Sequence, residues 1–186
     1  MDKLQLINSA LLKTGLPPAA TLNDCDWNAS AVFSLAAEEA LRTHAWSFAM
    51  RYATLERSSA PPFGFDYAYR MPEDCVSVVD IRPTQDLRSP KARFVTRGRD
   101  IFTNASPCNA RYTGREMDIS IWPPDFCNAV ATRIAAEIAG LSAEKMALAP
   151  QLLQLYQIAI NEAIKNDARE ETERVPLDES LYAGRS

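Results

Sequence analysis

Aspartate and glutamate number 24 in this chain of 186 residues and histidine only one, so acid–base or metal chemistry would have to come from carboxylates. Two adjacent acid pairs exist, Glu38-Glu39 and Glu73-Asp74. Neighbours on a helix point about 100° apart, so neither pair forms the facing carboxylates that glycosidase-type catalysis requires. They read as solvated faces. Asp100, Glu116 and Asp118 lie on expected loops and could meet around a hard cation, although nothing in their spacing demands it. The lone His44, at the end of an expected helix beside Trp46, excludes a His-rich metal centre and argues against a nucleophilic triad. Its simplest reading is a helix C-terminal cation. Cys25, Cys75, Cys108 and Cys127 are spaced too widely and irregularly for a C-x-x-C site and read as reduced packing or surface residues. The chain also lacks a phosphate-binding loop, a dinucleotide glycine pattern, an H-E-x-x-H helix, a G-x-S-x-G elbow and an EF-hand loop. No catalytic, cofactor-binding or metal residue is assigned, and the chain is not expected to be an enzyme.

Basic residues cluster at one place. Arg93, Arg97 and Arg99 lie in an expected hairpin around Gly98, with Arg88 and Lys91 just before it. This is a solvated edge that resists strand pairing, or a contact for an acidic partner or nucleic-acid phosphates. A formal charge of −4 and a pI near 5.1 argue against a dedicated nucleic-acid binder. The composition, 47% hydrophobic and 24% charged, is that of a globular chain. The N-terminus lacks a basic, then apolar, leader pattern, and no run of about 18 apolar residues occurs, so a soluble, unexported protein without membrane contact is expected.

The elements that must position these residues follow from periodicity and punctuation. Helices are expected at about 3–14, 28–45, 124–141 and 149–171. Gly15 and Pro17-Pro18 stop the first, and Pro123-Pro124-Asp125 opens the third. Apolar stripes are Val32, Leu35, Ala36 and Leu41 on the second, and Phe126, Val130, Ile134, Ile138 and Leu141 on the third. The fourth carries Leu152, Leu155, Tyr156, Ala159, Ile160, Ala163 and Ile164. Between the pairs, about 47–121, alternation predicts four or five short strands: Phe48 to Leu55, an extended Tyr67 to Pro72, Val76 to Ile81, a hairpin from Arg93 to Phe102, and Ala110 to Thr113. The fold class is therefore α+β, a bundle of about four helices with a small antiparallel sheet and hairpin subdomain inserted between the helix pairs. Trp46, Phe48 and Trp122 stand at the helix–sheet seam. Residues 1–173 form one domain, and 174–186 read as a polar tail dotted with Val175, Leu177, Leu181 and Tyr182.

Read in order, Leu12-Lys13-Thr14-Gly15-Leu16-Pro17-Pro18, Arg42-Thr43-His44-Ala45-Trp46-Ser47-Phe48, Arg51-Tyr52-Ala53-Thr54-Leu55 and Tyr67-Ala68-Tyr69-Arg70-Met71-Pro72-Glu73-Asp74 resemble the head-to-tail adaptor proteins of tailed bacteriophages, the tail tubular protein A family. The hairpin through Gly98, Ile101 and Asn104, the Tyr112 strand, Asp118, the Pro123-Pro124-Asp125-Phe126 helix start, Tyr156 and the run Ala163 to Asp167 continue the likeness over nearly the whole chain. Each motif is weak alone, and their order carries the weight. The linker around Ser58 to Gly64 and the loop from Pro83 to Lys91 depart from it.

The resemblance implies a structural virion protein of the head–tail junction, made in the bacterial host cytoplasm and lacking catalytic residues or cofactors. It would form a dodecameric ring below the portal protein, close the DNA-filled head, attach the downstream nozzle or tail-tube protein and let DNA pass during ejection. The portal-facing residues would be Arg174, Val175, Leu177, Leu181 and Tyr182, in a tail ordering on assembly. Arg88, Lys91, Arg97, Gly98 and Arg99 would face the tail or the DNA channel. The alternatives are a nucleic-acid-contacting module of the channel acting through Arg93 to Arg99, and a tail-associated hydrolase using Asp100 and Asp118.

Overall fold

Asp2 and Gln5 open the first helix in the computed structural model, which describes residues 1–25, 27–60 and 64–173. The Asp2 carboxylate accepts the Gln5 N–H at 2.8 Å and the Gln5 side chain accepts the Asp2 N–H at 2.9 Å, a reciprocal cap on α1 (Lys3–Lys13). At its other end the Leu16 N–H reaches the Leu11 carbonyl and the Gly15 N–H that of Leu12, each at 3.0 Å. Gly15 supplies the φ of 72° this closure requires.

Asn28 caps α2 (Ala29–Arg42), its side chain accepting the Ala31 N–H at 3.0 Å. The helix buries Phe33, Ala36, Ala37, Ala40 and Leu41, while Leu35, expected in the stripe, is 61% exposed. The buried face is centred on alanines, which let α3 (Pro124–Leu141) approach closely, and Phe33 is the bulky residue it turns inward. Helix α3 is the axis of the helical core, in contact with α1, α2 and α4 (Ala149–Glu173). It is therefore buried on several faces, from Phe126 and Val130 to Ala131, Ala135 and Ala139. Its last residue, Leu141, is exposed. On α4, Leu152, Tyr156, Ile160 and Ala163 point inward at helical spacing, whereas Leu155 does not. Among the described residues no helix is long and apolar enough to cross a membrane.

Among the described residues between α2 and α3 run six strands in two antiparallel three-stranded sheets, so the fold is α+β. The first sheet has the order β1–β6–β3, from β1 (Met50–Thr54), β6 (Asn109–Gly114) and β3 (Cys75–Arg82). The second has the order β2–β5–β4, from β2 (Tyr67–Arg70), β5 (Asp100–Thr103) and β4 (Phe94–Arg97). The strand expected from Phe48 begins at Met50, because Ser47–Ala49 form a 3₁₀ turn that carries Phe48 onto the helical core. In the β4–β5 hairpin Arg97 pairs with Asp100 around Gly98-Arg99. Gly98 alone has positive φ there, 58°, as a two-residue turn with glycine first requires. The sheets enclose a second core of Leu55, Tyr69, Ile81, Ile101, Cys108 and Tyr112.

Trp46, Phe48 and Trp122 converge on Phe126, with ring centroids 4.8, 5.0 and 4.9 Å away. These rings belong to the helical core, and from the sheet β3 brings Val76 against the same core. The indole N–H of Trp46 donates to the Ala40 carbonyl at 2.9 Å, so the buried ring keeps its one polar group satisfied.

Candidate functional site

The basic residues singled out in the sequence take three different positions. Arg99 turns back from the hairpin tip and donates to the Pro72 carbonyl, while the Met71 N–H meets the Arg99 carbonyl at 2.9 Å. It thus fastens the tip to the β2–β3 turn. Lys91, Arg93 and Arg97 instead line an open cleft of about 740 Å³ with Phe65, Val95 and Asn104. Arg97 also lies 5.6 Å from the centroid of the Phe102 ring, a cation–π contact. Arg88 stands in the preceding loop, where its N–H meets the Asp86 carboxylate at 2.8 Å, and does not line this cleft.

Beside it lies a charge cluster that the sequence reading missed. Asp80 is 2% exposed, and its carboxylate meets Arg82 Nε at 3.1 Å, Arg111 Nε at 3.1 Å and Lys91 Nζ at 3.7 Å. The Arg111 contact is an ion pair without hydrogen-bond alignment. A second cleft of about 420 Å³ opens over Asp80, Arg82 and Arg111. A signal was present: a carboxylate inside the apolar run Val76 to Ile81 is costly unless paired. Arg82 stands two residues along the same strand, but Arg111 comes from β6 and Lys91 from beyond β3, which spacing along one strand does not reveal.

Of the carboxylates considered for catalysis or metal binding, Glu38, Glu39, Asp74, Asp100, Glu116 and Asp118 are engaged elsewhere. Asp100 accepts from Ser58 Oγ at 2.7 Å and lies 3.5 Å from Arg70. Glu116 takes Arg51 at 3.1 Å, and Arg51 also pairs with Asp74. Asp118 accepts the Ser120 hydroxyl at 2.6 Å and the Ser120 N–H at 2.9 Å, which hold its carboxyl below the usual range. Among the described residues no three His, Cys, Asp or Glu side chains are placed to hold a metal ion, so the weak alternative of Asp100, Glu116 and Asp118 meeting around a cation is not formed. Glu38 and Glu39 diverge to Arg115 at 2.7 Å and Arg133 at 2.9 Å.

His44 lies two residues beyond the end of α2 and does not cap it. Its Nε2 stands 3.2 Å from the buried carboxylate of Asp167 on α4, which also accepts the Ser47 N–H at 3.1 and 3.2 Å and Ser47 Oγ at 2.6 Å. The carboxylate bridges histidine and serine, and among the described residues no imidazole–hydroxyl contact of a nucleophilic triad is formed. Arg174, Val175, Leu177, Leu181 and Tyr182 lie outside the described residues. Comparison of the chain with protein-family models and with curated proteins yields no match.

Proposed function

We propose that this chain is a structural virion protein, a head-to-tail adaptor whose copies form a ring below the portal and present the attachment site for the tail. Its partners are then the portal protein, the downstream tail protein, further copies of itself and the DNA passing through the lumen. The reading takes the four helices as one bundle forming the ring wall, with the β region as a subdomain inserted between the helix pairs. Residues 174–186 reach toward the portal, and the loops around Gly98 and Arg88 face the tail or the channel.

Beyond the ordered motifs, the observation that carries the reading is apolar surface left open on the helices. Leu155 and Ile158 on α4 and Leu12 on α1 are 54, 64 and 63% exposed, and Leu155 and Ile158 line a groove with Leu152 and Ala159. Such a face suits subunits packing side by side in a closing, heterologous interface. A second reading, contact with DNA phosphates, is favoured by the cleft that Lys91, Arg93 and Arg97 share.

Mixing the full chain with its cognate portal and determining mass and symmetry by light scattering and negative-stain microscopy tests the proposal. A twelvefold ring seated on the portal is expected, and a chain ending before Arg174 should bind it more weakly. No complex at any salt concentration would remove the adaptor reading.

A further inference from the structure

We infer that residues 174–186 fold back along α4 of their own chain and seat Leu181 and Tyr182 on its exposed apolar side chains Leu155 and Ile158. The docking needs neither ring nor portal. In the adaptor reading it describes the isolated chain, whose apolar helical face the segment shields until the portal takes it.

The receiving surface is a furrow that leads to the point where the segment departs. Leu155 and Ile158, 54 and 64% exposed, border a recess that α4 forms with Asn128 and Thr132 of α3. A second recess is lined by Pro123, Pro124 and Asp125 at the start of α3 and by Asn166 and Arg169 of α4. Asn128 lies about one turn from Pro124, and Glu162, at the edge of the first recess, about one turn from Asn166 in the second. The recesses therefore follow one another along the same side of α4, toward its last residue, Glu173.

Length and spacing match the segment to that furrow. A helix rises about 1.5 Å per residue, so Ile158 and Leu155 lie about 22 and 27 Å back from Glu173. Pro176 disfavours a helical Val175 and so turns the chain out of α4. An extended chain covers about 3.3 Å per residue; with about two residues spent on the turn, Leu181 and Tyr182 reach about 20 and 23 Å back. They arrive at Ile158, within a side chain's length of Leu155.

Charge falls into the same register. Spacing of three and four residues sets Leu155, Ile158, Glu162, Lys165 and Arg169 in one row on α4. Lys165 and Arg169 are exposed, repel one another across one turn, and form no ion pair with a described residue. They lie about 12 and 6 Å back from Glu173. On the spacing above, Asp178 and Glu179 reach about 10 and 13 Å, beside these two cations. The acid of the row, Glu162, falls beside the neutral Ser180. Of the other charges along the furrow, Lys13 donates to Asn128 Oδ1 and Asp125 accepts from Asn166, each at 3.0 Å, and Glu170 has an interaction of its own.

A tether this short holds the segment at a local concentration on the order of millimolar, which favours its own chain over a second copy in dilute solution. The contact itself is modest, made of two apolar side chains and exposed ion pairs, so the segment opens and closes while the chain stays folded.

Disulfide trapping in the full chain tests the docking, with Glu162→Cys and Ser180→Cys introduced beside Cys25→Ser; Cys75, Cys108 and Cys127 are buried. Both apolar anchors and all four paired charges stay in place. Mild oxidation should close a disulfide within one chain, read as thiol loss at monomer mass, at least about tenfold faster than in Gln157→Cys with Ser180→Cys. Gln157 is also exposed but lies about 140° round the helix. Lys165→Glu with Arg169→Glu should slow closure at Glu162→Cys roughly threefold, and adding Asp178→Lys with Glu179→Lys should restore it, which a variant that had merely failed to fold would not do. Equal closure from positions 162 and 157, no effect of the charge reversal, or failure of the swap to restore closure would overturn the inference. Disulfides formed mainly between two chains would assign the segment to a second copy and overturn it equally.

Discussion

At the scale of single residues, Tyr156 carries a hydroxyl into the helical core and finds no hydrogen-bond partner among the described residues, although the side chain is 2% exposed. Burial pushes its phenol up to about 12, with the Glu39 charge adding to the rise and Arg133 opposing it. Cys108, buried among the sheets, is likewise pushed up to about 12 by burial. Both groups are acids whose neutral form the fold favours, so their contribution is complete below the unfolded values, about 9 for the thiol and about 10 for the phenol. It is lost as pH rises toward about 12. Tyr156→Phe removes a buried hydroxyl that lacks a partner while keeping the ring, so urea denaturation at neutral pH should show a gain of roughly 1 kcal/mol. The same variant should lose stability less steeply above about pH 10. A loss of stability instead would mean that the hydroxyl is satisfied in solution. The periodicity of α4 gives Tyr156 its inward position, but spacing along one helix does not report whether a facing atom exists for its oxygen.

At the scale of elements, helix ends with a local cause were legible, whereas α2, expected to run to about 45, stops at Arg42. Gly15 ends α1, and Pro123-Pro124 opens α3 at the expected Pro124. Which face each helix buries was less legible: Leu35 and Leu155 fit an apolar stripe by spacing but are exposed, because the partner helix sets the orientation. Strand partners were less legible still. Thr54 pairs with Asn109 and the Asp80 carboxylate with Arg111, contacts set by how the chain returns on itself. Asp167 illustrates the same point, since no local pattern links it to the corner after α2. Its carboxylate satisfies the Ser47 N–H and hydroxyl and faces His44, fastening the second half of α4 to the turn that leads into β1. Asp167→Ala leaves the part-buried Ser47 N–H without that acceptor and should cost about 2–3 kcal/mol, the scale of hydrogen bonds to a charged group. Urea denaturation measures it. A change below about 0.5 kcal/mol would show that the corner holds without the carboxylate.

At the scale of the whole molecule, the helices and the sheets each enclose a core of their own. What those cores leave uncovered is unevenly distributed. Basic clefts lie on the sheet side, and apolar side chains are exposed on α4 and at the end of α1. In the adaptor reading the apolar helical face packs against the next subunit, and a heterologous ring repeats that contact around its circumference. Leu155→Glu combined with Ile158→Glu tests this face. Both side chains are more than half exposed, so the isolated chain should keep its urea midpoint to within about 0.5 kcal/mol. Inside an interface, each new carboxylate would lose water without gaining a partner, a cost of several kcal/mol per contact, repeated at every junction of the ring. The double variant should therefore remain folded and fail to form a ring on the portal under conditions where the parent chain assembles. Rings formed by the variant at the parent's yield, counted by negative-stain microscopy, would mean that subunits meet through another face and that this apolar surface serves a different neighbour.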